Sequence, residues 1–330
     1  MFKSVEICAG GGGQALGLEM AGFEHVCLVE NDEHACNTLK TNRPNWHVVQ
    51  GDLRRFSGKL YSGIDLLAGG VPCPPFSVAG EQLGSNDERD LFPEALRLVK
   101  EMNPKVVMLE NVRGLFSPKF QEYRESITNS LKKLGYSSDW RLIQSSDFGV
   151  PQLRPRTILI ATRKDLNVPF LWPVLKISPK TVGATLIDLM DKNGWAAAKK
   201  WSKNANTIAP TLVGGSKKHG GPDLGPTRAK LAWSNLGVDG AGLADSPPAK
   251  DFEGMPRLTV RMAARIQGFP DEWLFSGKKT ASYRQVGNAF PPPVAFHIGK
   301  AIYECLTANS NDESKELTFK RTRVVSQAIA

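Results

Sequence analysis

The sequence predicts an α/β fold: a doubly wound, mainly parallel, Rossmann-like sheet accompanied by a second, smaller, loop-rich unit. Three observations carry this. Over residues 1–163, short β-branched runs alternate with amphipathic stretches, the pattern of strands joined by crossover helices. A glycine run, Gly10 to Gly13, directly follows the first such strand, where a sheet of this kind binds its ligands. Around Asp165 the texture changes, and residues 165–254 hold 11 Gly and 8 Pro without any sustained period.

The predicted strands are Val5–Cys8, Val26–Glu30, His47–Gln50, Asp65–Ala68, Val106–Glu110, Arg141–Gln144 and Thr157–Ala161. Two helices show their period plainly. In Glu88–Met102, Leu91, Ala95, Leu98 and Val99 share a side, as do Tyr123, Ile127, Leu131 and Leu134 in Phe120–Leu134. Beyond the loop-rich unit, helical texture returns at Leu258–Gln267 and Val294–Leu306. The polar end, 309–330, reads as a frayed, flexible tail.

With 330 residues, 41% hydrophobic and 23% charged, the chain is long enough for a substantial core, so disorder, collagen and coiled coil are excluded as its main character. The start, Met1-Phe2-Lys3-Ser4, lacks the layout of a signal peptide, and no apolar run approaches the ~20 residues of a membrane span. The expected location is the cytoplasm. Five cysteines, at 8, 27, 36, 73 and 305, form no C-x-x-C pair, so neither a disulfide framework nor a metal site is expected. The net charge of +9 is uneven: residues 1–160 hold 18 Lys and Arg against 19 Asp and Glu, and residues 161–330 hold 24 against 14. That excess suits a polyanionic partner, although a solvated basic surface would read the same.

Gly69-Gly70-Val71-Pro72-Cys73-Pro74-Pro75 follows a predicted central strand. Prolines on both sides of Cys73 deny helix and hold the thiol on a stiff loop. A free cysteine is ordinarily a small buried hydrophobe, but one held this way at a strand end is a candidate nucleophile, if nearby positive charge favours the thiolate. Gln152-Leu153-Arg154-Pro155-Arg156 leads into the last strand, with alternation expected to turn Gln152, Arg154 and Arg156 to one face. Glu110 ends an apolar strand, before Asn111-Val112. A thiol, an acid and a bidentate cation are thus expected on adjacent strand ends. In the glycine run, Gly10, Gly12 and Ala15 fit G-x-G-x-x-G/A, and Glu30 closes the second strand where an acid binds ribose hydroxyls. The pattern by itself allows NAD, FAD or another adenosine cofactor.

With these residues assembled, the sequence resembles the cytosine-C5 DNA methyltransferases, over nearly the whole chain and in order. The motifs are Ala9-Gly10-Gly11-Gly12-Gly13, Pro72-Cys73, Glu110-Asn111-Val112 and Gln152-x-Arg154-x-Arg156. Two late ones follow: Arg257-Leu258-Thr259-Val260-Arg261 with Arg265-Ile266-Gln267-Gly268-Phe269-Pro270, and Gln285-Val286-Gly287-Asn288-Ala289. There are departures: Cys8 replaces an aromatic residue usual before the glycine loop, Val71 stands where Pro or Phe is common, and Pro74 replaces a Gln. The mobile-loop motif is shortened to Asp87-Glu88-Arg89-Asp90-Leu91-Phe92. None removes a reacting group.

The resemblance implies a S-adenosyl-L-methionine-dependent enzyme needing no metal. It places the cofactor on Cys8, Gly10, Gly11, Gly13, Glu30, Asn31, Asp52, Leu53, Pro72, Leu91, Asn288 and Phe290 and the chemistry on Cys73, Glu110, Arg154 and Arg156. It implies catalytic segments 1–163 and 257–308 around a target-recognition unit, 164–256, whose Lys199, Lys200, Lys203, Lys217 and Lys218 would meet phosphates. Trp195 and Trp201 there are expected in the core. Residues Ser77 to Asp87 would form a mobile loop over a flipped-out base. The implied partner is double-stranded DNA, with a cognate restriction endonuclease as functional pair without physical contact; monomeric action is the default expectation. Two alternatives are a tRNA methyltransferase of the same fold, whose Cys-Phe-Thr signature the insert lacks, and a nucleotide-binding oxidoreductase or non-catalytic DNA-binding module. The last would leave Cys73, Glu110 and the paired arginines without a joint purpose.

Overall fold

The computed structural model describes residues 1–72, 90–215, 221 and 223–327, with side chains through 310. Seven strands form one sheet: β1 (Lys3–Ile7), β2 (Glu24–Glu30), β3 (Val48–Gln50), β4 (Leu66–Gly70), β5 (Val106–Val112), β6 (Tyr136–Gln144) and β7 (Pro155–Arg163). Each falls on a predicted run. Their order is β3-β2-β1-β4-β5-β7-β6. The pairs from β3 to β5 are parallel, whereas β7 runs antiparallel to both β5 and β6. No crossover helix separates β6 from β7, so the chain returns as a hairpin, and the doubly wound sheet carries an antiparallel edge. The order reverses between β1 and β4, which puts the C-terminal ends of both beside one crevice.

Period-two alternation divides the sheet's apolar side chains between two layers. On one face Val5, Ile7, Leu67, Val107 and Leu109 pack against α3 (Phe92–Met102) and α4 (Gln121–Lys133) through Leu98, Val99, Met102, Ile127 and Leu131. On the other, Leu66, Ala68, Val106, Met108 and Ile158 meet Leu18 of α1 (Gly13–Met20) and Val294, Ile298 and Ile302 of α10 (Pro292–Gln327). At about 1.5–3 kcal/mol for each fully buried aliphatic side chain, these layers dominate the fold's stability. Gly17 allows the close crossing of α1 and α10, since a Cβ there would lie 2.4 Å from the Pro292 carbonyl oxygen. The last helix therefore seals the back of the sheet, and it runs through Gln327, past the point at Asn309 where the sequence reads as frayed.

A third core is built almost entirely from residues beyond 181. Val182, Leu186, Trp195, Trp201 and Trp233 pack with Met262, Phe269, Trp273, Tyr283 and Val286. Residues 258–289, with α8 (Val260–Ile266) and α9 (Lys279–Asn288), thus share the apolar core of 182–243, and α10 makes the return to the sheet. Trp195 and Trp201 are core residues, donating their indole N–H groups to the Phe252 and Gly237 carbonyls at 2.8 and 3.0 Å.

Candidate active site

Beyond Ile7 the backbone turns through left-handed steps at Cys8, Gly10 and Gly12 (φ 52°, 54° and 84°) and enters α1 at Gly13. Glycine takes such angles freely; Cys8 holds one against its own side chain. At Gly13 the constraint is steric, because a Cβ would lie 2.2 Å from the Phe290 carbonyl oxygen. Glu30, at the end of β2, is oriented by backbone amides: Oε2 accepts from Gly10, and Oε1 from Asn31 and Asp32, each at 2.8 Å. Asp52 accepts from the Arg54 amide at 3.0 Å and pairs with its guanidinium at 2.9 Å. The amide bond, then the cation, lowers its carboxyl pKa.

These elements enclose a cavity of about 750 Å³ in front of the sheet's C-terminal edge. Every residue the sequence assigns to the cofactor lines it: Cys8, Gly10, Gly11, Gly13, Glu30, Asn31, Asp52, Leu53, Pro72, Leu91, Asn288 and Phe290. Glu110 and Arg156 line the same space. So do Glu6 and Gln14, which the sequence reading missed, although an acid inside the apolar run Val5-Glu6-Ile7 was a signal. Both are buried, and neither their carboxylate oxygens nor their amide atoms find a hydrogen-bond partner among the described residues. Burial raises the Glu6 pKa well above the carboxylate range, and the nearby Ala15 amide only partly offsets this.

The acid sits on β5 and its cation on β7. Antiparallel register sets Val112 opposite Arg156 and Glu110 opposite Ile158, so the two side chains meet on a diagonal. Arg156 Nε lies 2.7 Å from Glu110 Oε1. Burial pushes the Glu110 pKa up, Arg156 and then Arg154 pull it back, and the net shift is upward; burial lowers that of Arg156. Asn111 donates to the Val71 carbonyl at 2.6 Å, and the Leu91 amide donates to the Pro72 carbonyl at 3.1 Å. Where the chain re-enters, Asp90 accepts from the Tyr123 hydroxyl at 2.5 Å. Val71 is thereby tied to the strand that carries Glu110, and Leu91 to Pro72. Cys73 itself, the span Ser77 to Asp87, and Lys217 and Lys218 lie outside the described residues.

Arg154 departs from expectation. It is fully buried and absent from the cavity lining; its guanidinium donates to the carbonyls of Leu212 (2.8 Å), Gly287 (2.7 Å) and Ala289 (3.0 Å). Strand β7 begins only at Pro155, so the alternation expected to face Gln152, Arg154 and Arg156 alike does not extend to the first two. Gln152 is buried as well, accepting from the Leu212 amide and donating to Gln267. Of the three, Arg156 alone reaches the acid.

Among the described residues no group of three His, Cys, Asp or Glu side chains could hold a metal, and no helix is long and apolar enough to cross a membrane.

A profile of the family described as C-5 cytosine-specific DNA methylase matches residues 2–304. The chain is 56% identical over 309 residues to Type II methyltransferase M.NgoMIV of Neisseria gonorrhoeae, covering 92% of this chain and 98% of that protein. It is 55% identical over 311 residues to Type II methyltransferase M.NaeI of Lentzea aerocolonigenes, covering 92% and 75%. In fold it is similar to a solved Spodoptera frugiperda DNMT2 variant, with 18% identity and a TM-score of 0.67 over 92% of this chain and 100% of that one.

Proposed function

The chain belongs to the C-5 cytosine-specific DNA methylases, and from that premise we propose that it transfers a methyl group from S-adenosyl-L-methionine to C5 of a flipped-out cytosine within a short duplex target. One observation carries this reading: the glycine-loop wall and the Glu110–Arg156 pair line a single continuous cavity, at whose edge Pro72 leads into Cys73.

The residues fit the donor. Gly10, Gly11 and Gly13 offer a side-chain-free cradle, Glu30 presents a pre-oriented carboxylate for two ribose hydroxyls, and Asp52 an acceptor for an adenine amino group. The buried atoms of Glu6 and Gln14, unpartnered among the described residues, supply a carboxyl and an amide for a polar end. When bound, the cofactor supplies an electrophilic methyl group on a sulfonium.

Cytosine C5 is a poor nucleophile. The Cys73 thiolate therefore adds to C6, forming an S–C6 bond and moving the ring electron pair toward C5, which can then take the methyl group. Glu110, whose pKa burial raises, donates to N3 and receives the exocyclic amine, stabilising charge that accumulates in the ring. Arg156 faces the O2 edge. A base removes the C5 proton, the electrons re-form the C5–C6 double bond, and the S–C6 bond breaks to return the thiolate.

The base reaches the site by leaving the stack, at a cost of a few kcal/mol. The second unit, 164–256, reads the target from the major groove, and its lysines hold phosphates. The relatives' description as Type II methyltransferases supports a protective role beside a restriction endonuclease; that the protein acts as a monomer in the cytoplasm is likewise proposed. The test is transfer of labelled methyl from S-adenosyl-L-methionine to unmethylated plasmid DNA and, in parallel, to bulk tRNA. Label confined to DNA is expected; label confined to tRNA would move the substrate to RNA.

A further inference from the structure

We propose that Arg154 is a positioning residue that ties the second unit to the cofactor wall, so that DNA in the cleft and the nucleoside ligand in the cavity strengthen each other's binding through it. This rests on the proposed function for the identity of the two ligands and goes beyond it in assigning a route between them.

Arg154 is a buried cation without an ion-pair partner among the described residues; its two terminal nitrogens donate to backbone carbonyls, with Gln152 Oε1 a further 3.5 Å contact, while its Nε finds no partner among the described residues. A charge held this way is costly to bury and leaves carbonyls unpaired when removed. Those carbonyls belong to two walls. Leu212 lies in the second unit, in a stretch stitched to the approach to β7 by Leu153 N–H to Ala209 O (2.7 Å) and Ala209 N–H to Pro151 O (2.9 Å). Gly287 and Ala289 flank Asn288, which lines the cavity.

The two walls also touch directly. A Cβ on Gly287 would lie 2.4 Å from the Gly214 nitrogen, one on Gly214 would lie 2.6 Å from Asn288 Oδ1, and Asn288 donates to the Gly215 carbonyl at 3.1 Å. Packed this closely, the segment 209–215 cannot shift against the end of α9 without moving Asn288. Two residues along the chain, Arg156 holds Glu110. Arg154 is thus the common anchor of the base-binding pair, the second unit and the cofactor wall.

The experiment is calorimetric titration with S-adenosyl-L-homocysteine, with and without saturating sheared unmethylated plasmid DNA. It compares the wild type, Arg154→Lys, Arg154→Met and a core variant, Trp201→Phe. In the wild type DNA should tighten binding about tenfold, within the usual range of such couplings. Lys cannot reach three carbonyls, so both Arg154 variants should show less than about a twofold effect. Trp201→Phe should keep the wild-type ratio while losing thermal stability, which separates positioning from mere structural support. Should the Arg154 variants fail to fold, Gly214→Ala, which crowds Asn288 with Arg154 intact, should lose the same ratio. Folded Arg154 or Gly214 variants with the wild-type ratio overturn the proposal, as does a wild type that binds both ligands independently. A wild type that binds neither ligand would instead overturn the proposed function.

Discussion

Glu110 Oε1 and Arg156 Nε stand 2.7 Å apart, with side chains only 9% and 10% exposed. Their meeting is a product of the antiparallel β5–β7 register, which places them on one face at the head of the sheet. Burial favours the neutral acid and the cation favours the carboxylate, with the net shift upward.

Glu110→Gln should lower single-turnover methyl transfer by about 10²–10⁴-fold while S-adenosyl-L-homocysteine binding is retained. The pH profile carries a second test. In the proposed mechanism the neutral acid donates to the base, so the wild-type rate divided by that of Glu110→Gln should fall as pH rises through the raised Glu110 pKa. A ratio flat with pH would remove the acid's role.

Glu6 gives a stability prediction with a definite sign. Its folded-state pKa is raised well above the unfolded value by burial, so the folded chain holds the proton more tightly. Its contribution to stability is full below the unfolded carboxylate pKa and is lost as pH rises through the folded one. Replacing it by a group that does not titrate removes that loss. The Tm difference, Glu6→Gln minus wild type, should therefore grow with pH in thermal unfolding scans between acid and alkaline buffers. A constant difference would mean that Glu6 takes up no extra proton on folding.

Gly13→Ala drives a methyl group into the Phe290 carbonyl, whereas Gly11→Ala meets Gln285 Cβ at 3.1 Å, a contact that a local shift of α9 by a few tenths of an ångström relieves. The first should cost about 1–3 kcal/mol and the second less. The same order is expected for the loss of S-adenosyl-L-homocysteine affinity, measured by calorimetry. Equal losses would contradict the close approach of Phe290 to the glycine loop.

The sheet was legible because most strands are short apolar runs between turn signals, and the cavity because glycine and acid positions at strand ends have few other uses. Arg154 was not legible: alternation holds only within a strand, and the sequence does not mark Pro155 as the start of β7. The long-range packing of 258–289 with 182–243 was equally hidden, since Met262, Trp273 and Val286 meet Trp201 and Trp233 only through tertiary structure. Glu6 was readable as a charge in an apolar strand, but its lack of a hydrogen-bond partner among the described residues was not.

The uneven charge predicts a salt-dependent encounter. Affinity for plasmid duplex should fall linearly on a log–log plot against salt concentration, through release of condensed counterions. A salt-insensitive affinity would contradict phosphate contacts from the basic second half, which holds 24 Lys and Arg against 14 Asp and Glu.

The central claim, covalent methylation of cytosine C5 through Cys73, is tested most directly by base-resolution sequencing of 5-methylcytosine in plasmid DNA from a host expressing the wild type or Cys73→Ser. The account predicts the mark at one short motif with the wild type and none with the variant, whose binding of S-adenosyl-L-homocysteine is unchanged. An equal mark from the variant would contradict the thiolate mechanism, and no mark from either would contradict the DNA substrate.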